Sequence, residues 1–251
     1  MKLLKAMAIA FSIYSKIPVP QFEWKEEDME YMMCFFPWIG GVIGLFFFGW
    51  AVLCEKFAVG NVCYALIGAA IPLMISGGFH VDGYMDTMDA FHSYQSREKK
   101  LEILKDSHIG AFAAIMLALY YMIDIAAISE IHTQKAVSAV AAVFFLARCF
   151  SGIAVMTLQP AKKEGLLYPF ASSAQKVRVK AALYFQAALC VAIMLLVSGW
   201  YGAAAIGAAL LSFFYFKKKS YKELGGITGD TAGFFVTVCE AAAAAVAGYF
   251  L

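Results

Sequence analysis

Seven apolar stretches divide this chain, at residues 33–54, 61–79, 110–129, 136–158, 181–197, 201–216 and 231–251. Their lengths approach the roughly 20 residues an α-helix needs to cross a bilayer core. In hydrocarbon, a helix also pairs every backbone N–H and C=O within its own segment. The expected fold is therefore all-α: a polytopic integral membrane protein with about seven transmembrane helices. Composition agrees, with 62% of residues hydrophobic and 15% charged, where soluble domains carry about 25% charged. Little of the chain is left for a separate soluble domain. The fifth and sixth stretches are short and share the tight Ser198-Gly199-Trp200-Tyr201-Gly202 connection, so they are read as a helical hairpin.

Loop charge sets the expected orientation. With seven spans and a cytoplasmic N-terminus, the inside segments are 1–32, 80–109, 159–180 and 217–230, which hold 17 of the 20 lysines and arginines. The outside loops carry only Lys56 and Lys135, and Arg148 lies within a span. The positive-inside rule favours this arrangement, a multi-pass membrane protein with its polar motifs at the cytoplasmic face. The opening MKLLKAMAIAFSIY is basic and then apolar, but no small-x-small cleavage site precedes Ser15-Lys16-Ile17-Pro18. It is expected to be retained, lying along the interface. The segment Glu23 to Glu30 reads as a solvated turn or helix start. A net charge of +2 spread over loops argues against a nucleic-acid partner. Six cysteines stand singly without a CxxC pair and read as small buried thiols.

Against this apolar background, Gly77 to Asp106 (GGFHVDGYMDTMDAFHSYQSREKKLEILKD) carries four aspartates. Carboxylates are costly near hydrocarbon and are retained for a function. The pair Gly77-Gly78 is placed to break a helix ahead of them. A helix over Val81 to Ala90 sets Asp82, Asp86 and Asp89 at i, i+4 and i+7, one narrow stripe at about 100° per residue. Three anions on a stripe repel one another unless a divalent cation neutralises them, and oxygen ligands suit Mg²⁺ or Mn²⁺ better than zinc.

Two further clusters follow. Gly225 to Gly233 (GGITGDTAG) precedes the last apolar stretch, and its glycines let backbone N–H groups approach an oxyanion, while Asp230 is placed to cap the next helix. Glu240, ten residues on, is an intramembrane carboxylate and a functional candidate by default. The third cluster is Gln159 to Leu166 (QPAKKEGL), where Lys162 and Lys163 either set topology or bind substrate. One span earlier, the Arg148 guanidinium needs a phosphate or carboxylate partner.

In this order the clusters resemble the cobalamin synthase family, adenosylcobinamide-GDP ribazoletransferases of late cobamide assembly. The resemblance covers nearly the whole chain. It rests on Ile17-Pro18-Val19-Pro20, Phe36-Pro37 with Gly40-Gly41 and Gly44, FHVDGYMDTMDA from Phe79, LKDSHIG from Leu104, Arg148, PAKKEG from Pro160, and GGITGD with Gly233 and Glu240. The aspartate stretch and the distal TGD are its specific parts. His108 and Lys162 stand where the family usually has arginine, and Ala113 where glycine is common.

The resemblance implies a single integral-membrane catalytic domain over 1–251 in the bacterial cytoplasmic (inner) membrane, with adenosylcobinamide-GDP, α-ribazole or its 5′-phosphate, and the lipid bilayer as partners. In the implied reaction the ribose 3′-hydroxyl attacks the phosphorus nearest the corrinoid, GMP leaves, and the nucleotide loop closes. Such phosphoryl-type chemistry needs a charge clamp, an in-line pose and a proton acceptor. The implied Mg²⁺ site draws on Asp82, Asp86, Asp89, Asp230 and Glu240. Catalytic roles fall to Asp82, His80 and Asp106, with His80 read as a proton acceptor, an orienting group or a packed interfacial histidine. Substrate contacts fall to Arg97, Lys105, Arg148, Lys162, Thr228 and Gly229. Lys99 and Lys100 are expected to fix topology, His92 and His132 to be structural, and Asp124 matches no part of the family pattern.

Two rival readings fit the residues less well. A CDP-alcohol phosphotransferase also joins aspartates to a divalent ion, but its pattern needs an aspartate three residues before the Asp-Gly pair and Ala-Arg shortly after. Phe79 and Met85-Asp86 occupy those places. A cation transporter would carry acids near mid-bilayer in several spans, and only Asp124 and Glu240 fit that description.

Overall fold

The computed structural model describes residues 2–20, 23, 25–161 and 176–250. Its helices are α1 (Lys2–Tyr14), α2 (Phe36–Lys56), α3 (Asn61–Ser76), α4 (Phe79–His92), α5 (Arg97–Ile103), α6 (Ala111–Ser129), α7 (Gln134–Thr157), α8 (Lys176–Ser198), α9 (Trp200–Leu224) and α10 (Gly229–Tyr249). Two short 3₁₀ turns, Glu26–Met29 and Met32–Cys34, lie between α1 and α2. The only extended pairing among the described residues is an isolated parallel bridge between Pro160 and Ile227.

Among the described residues five helices are long and apolar enough to cross a membrane: α2 with the turn before it, α6, α7, α8 and α10. A sixth crossing is added if α3 and α4, which meet at 97°, form one broken span. The chain is thus an all-α polytopic membrane protein. Two of the seven apolar stretches differ from simple spans for local reasons. The 61–79 stretch yields only the 16 residues of α3 before Gly77 and Gly78 adopt φ of +66° and +84°. That left-handed backbone is open to glycine at little cost. The chain therefore turns sideways into the aspartate stripe. The 201–216 stretch continues as helix through Lys217, Lys218, Lys219 and Lys222, so α9 has a charged last third.

The centre of the bundle is α7 and α10, whose apolar windows are 78% and 72% buried, against 22% for α6 and 28% for α8. Glycines in α2 explain how tightly that helix packs on α7. A Cβ on Gly40 would stand 2.0 Å from the Phe144 carbonyl oxygen, and one on Gly44 2.2 Å from that of Ala141. These glycines, one turn apart, bring two backbones into contact in the manner of small-xxx-small pairs in membranes. Outward faces carry Leu45, Phe46, Met74, Met122, Leu196 and Leu211, an apolar exterior suited to lipid.

The bundle has two chemically distinct ends. At one end the Lys16 N–H donates to the Ile75 carbonyl at 2.8 Å, Lys100 pairs with Glu223, and Ile227 bonds to Gln159 and Ala161. Four loop segments dense in lysine and arginine therefore meet there. At the other end Asn61 donates to the Ser129 carbonyl at 2.9 Å, beside Glu55, His132 and Gln134. The described residues thus set Lys16, Lys100 and the Gln159 turn apart from the end that holds Asn61 and His132. The first helix packs through Ala6, Ile9, Ala10 and Tyr14 while Leu3 and Leu4 stay exposed, and Asp28 in the following 3₁₀ turn takes Lys5 at 3.3 Å. The cysteines are free, and Cys63 alone among them is exposed.

Candidate active site

The aspartate stripe forms as its spacing predicts. Val81 to Ala90 lies within α4, with Asp82 exposed and Asp86 and Asp89 half-buried on one side. Against it stands the start of α10, where Thr228 caps the helix. Its Oγ1 accepts from the Thr231 N–H at 3.2 Å and donates to Asp230 Oδ2 at 3.3 Å. Two glycines let the helices touch. A Cβ on Gly83 would stand 2.8 Å from the Asp230 carbonyl oxygen, and one on Gly233 3.1 Å from that of His80. The packing sets Asp230 beside the stripe, and the charges acting on the Asp86 carboxyl are those of Asp82, Asp230 and Asp89. Residues about 150 positions apart thus form one acidic wall, with no cysteine or histidine among them. Among the described residues no group of three or more His, Cys, Asp or Glu side chains is arranged to hold a metal ion.

Asp89 has a second commitment. Its Oδ2 accepts from the Gly110 N–H at 2.7 Å and its Oδ1 from the Ala113 N–H at 2.8 Å. It therefore caps α6, where a negative charge is favoured by the exposed N–H groups and the helix dipole. Asp82 opens instead onto a cleft of about 510 Å³, lined also by Lys16, Gly77, Phe79, Met85 and Tyr121. Arg97 lies on the other flank. Its guanidinium occupies the space where a Cβ on Gly225 would fall, 2.2 Å from Nη1, so it covers the glycine turn leading to Thr228. The Gly229 position faces open space.

Several expected site residues lie elsewhere in the bundle. Arg148 and Glu240 are a pair, Nη1 to Oε1 at 2.6 Å, with 1% and 9% of their side chains exposed. The second Arg148 contact is the Phe144 carbonyl at 2.7 Å. The guanidinium finds its counter-charge inside the bundle, and Glu240 is committed to that pair instead of the acidic wall. The charge that faces Glu240 from α6 is that of Asp124. His80 lies two residues from Asp82, hence on the opposite side of α4. Its ring is 5% exposed among Tyr14, Phe36 and Phe79, with neither nitrogen bonded. It is packed among these rings and faces away from Asp82.

Asp106 stands on an exposed surface turn. Both the His108 ring nitrogen, at 2.6 Å, and the His108 N–H, at 3.0 Å, bond to it, and they hold its carboxyl below the usual range. No contact among the described residues joins Asp106 to the wall. Lys105 is exposed on the same turn, and Lys162 lies outside the described residues. Lys99 bonds to Glu102 at the surface. Lys100, expected only to fix topology, is buried and bonds to Glu223, tying α5 to α9 beside the site.

Comparison with known sequences adds a family. Residues 6–248 match the family described as cobalamin-5-phosphate synthase. An adenosylcobinamide-GDP ribazoletransferase from Lachnoclostridium phytofermentans is 44% identical over 240 residues, spanning 96% of this chain and 92% of that protein. Proteins of the same name from Clostridium botulinum and Clostridium perfringens are 30% and 29% identical, each over at least 94% of both chains. No solved structure matches.

Proposed function

This chain belongs to the cobalamin-5-phosphate synthase family, and we propose from that premise how its acidic wall performs the ribazoletransferase reaction of cobamide assembly. The substrates are adenosylcobinamide-GDP and α-ribazole or its 5′-phosphate. A bond forms between the ribose 3′-oxygen and the phosphorus nearest the corrinoid. The bond from that phosphorus to the bridging oxygen breaks, and GMP leaves with that oxygen. The hydroxyl proton passes to a carboxylate, for which Asp82, the wall residue that lines the cleft, is the candidate.

Asp86 and Asp230, with Asp82, would hold Mg²⁺. The fit is chemical: all donors are carboxylate oxygens on an open wall, and Mg²⁺ is commonly held by one or two carboxylates with water and substrate phosphates completing its shell. When bound, the ion supplies positive charge to the phosphate oxygens. Arg97 over the glycine turn adds a planar cation suited to phosphate. Asp89 stays on α6 and holds the stripe in place. The observation that carries this reading is the joining of the two motifs at Gly83 and Asp230.

The same reading places the site at the cytoplasmic face, with seven passes when α3 and α9 each count as a crossing. The support is the gathering of the basic segments at the end that holds the wall. A purified-protein assay with both substrates tests the function. GMP release and cobamide formation should require Mg²⁺, and Asp82→Asn or Asp86→Asn should abolish both while the protein still inserts in the membrane. Full turnover by both variants would end this assignment.

A further inference from the structure

Lys16 occupies an unusual position. The chain leaves α1 through Ser15, whose Oγ donates to the Phe11 carbonyl at 2.6 Å and accepts from the Ile17 N–H at 3.3 Å. The Lys16 N–H is fixed to the Ile75 carbonyl, the last turn of α3. Its side chain then lies flat across Gly77. A Cβ at that glycine would stand 2.4 to 2.9 Å from three Lys16 methylene carbons. The helix break thus has a second use, since only a residue without a side chain leaves room for this lysine.

The stem held in this way borders the cleft into which Asp82 opens. Among the described residues the ammonium has no carboxylate or carbonyl partner. An aspartate and an exposed lysine line one cleft, without a salt bridge between them, and leave space for a ligand with its own negative charge. Lysine serves phosphate as a compact point charge.

We infer that Lys16 is a phosphate-binding residue of the Asp82 cleft, supplied by the segment after the first helix. The inference rests on the proposed reaction, whose substrates offer two phosphate sources, the pyrophosphate of adenosylcobinamide-GDP and the 5′-phosphate of α-ribazole 5′-phosphate. It extends the site beyond the aspartate and glycine motifs to the N-terminal segment, and Lys16→Arg keeps the charge while Lys16→Gln removes it.

The test uses the full chain in lipid nanodiscs, comparing wild type, Lys16→Gln and Lys16→Arg. With adenosylcobinamide-GDP and either acceptor, Lys16→Gln should raise one KM by about ten- to a hundredfold, the range expected for a lost hydrogen bond to a charged group. The kcat should change little, and Lys16→Arg should recover most of the loss. A rise for adenosylcobinamide-GDP with both acceptors locates the contact on the pyrophosphate. A rise confined to the phosphorylated acceptor, absent for α-ribazole, locates it on the 5′-phosphate. Unchanged KM values for all three substrates would overturn the inference. Titration with inorganic pyrophosphate, read by calorimetry without turnover, keeps the two readings apart. Weaker binding in Lys16→Gln supports the phosphate site even if the wild type fails to turn over, and equal binding there rejects it.

Discussion

The buried pair of Arg148 and Glu240 sets up a sharp ordering of variants. Glu240 pairs with the Arg148 guanidinium, Asp124 faces Glu240 from α6, and 1% and 9% exposure leaves the paired groups almost no water. Unit charges about 4 Å apart attract by about 4 kcal/mol at an effective dielectric near 20. Removing one member of a buried pair costs about 3–5 kcal/mol, because the other is left stranded. Arg148→Met strands two anions and should be the most damaging change. Glu240→Gln keeps the shape and leaves the guanidinium its bond to the Phe144 carbonyl, so its loss should fall at the low end of that range. Asp124→Asn removes the excess anion and should be neutral or mildly stabilising. Thermal unfolding of purified protein in one detergent gives the order, and initial rates on folded protein give the KM for each substrate. If Glu240→Gln raised a substrate KM without lowering the melting temperature, the pair would belong to the substrate site and its structural assignment would be wrong.

Other consequences are more local. Asp89→Asn weakens the cap on α6 and should cost about 0.5–2 kcal/mol of stability, while moving the Mg²⁺ requirement less than a change at Asp86. Unfolding curves and Mg²⁺ titrations on the same preparation separate the two effects. Gly83→Ala puts a methyl group 2.8 Å from the Asp230 backbone oxygen and should push α4 from α10, at a cost of about 1–3 kcal/mol for overpacking. Turnover should fall, and wild-type activity would show that the helices need not touch there. Cysteines introduced near Lys99, Lys163 and Lys218 should react with an impermeant reagent only from the cytoplasmic side. One near Glu130 and the native exposed Cys63 should react only from the other side, and a reversal at any of these sites would discard the seven-pass topology.

What was legible in the sequence was what depends on nearby residues. The break at Gly77-Gly78 and the stripe of Asp82, Asp86 and Asp89 follow from backbone freedom and helical period. The close contact of Gly40 and Gly44 with α7 is a tertiary fact. Arg148 declared a need for an anion, but whether phosphate or carboxylate met it depended on the packing of α7 against α10. The role of Asp89 was hidden because it depends on where α6 begins in space. The burial of Lys100 and the placing of Lys16 over Gly77 are likewise tertiary facts about residues that look like ordinary loop cations. His80 misled because it sits two residues from Asp82 in a polar motif. That spacing on a helix faces it away, a consequence the period itself contains.

The central claim is that Asp230 and the α4 stripe act on one Mg²⁺. The most direct measurement is the Mg²⁺ concentration for half-maximal activity of Asp230→Asn against wild type, at saturating substrate. Loss of one anionic ligand weakens cation binding, so the account expects that concentration to rise severalfold while excess Mg²⁺ restores much of the rate. An unchanged Mg²⁺ requirement, with a raised KM for adenosylcobinamide-GDP, would instead assign Asp230 to the substrate and contradict the shared site.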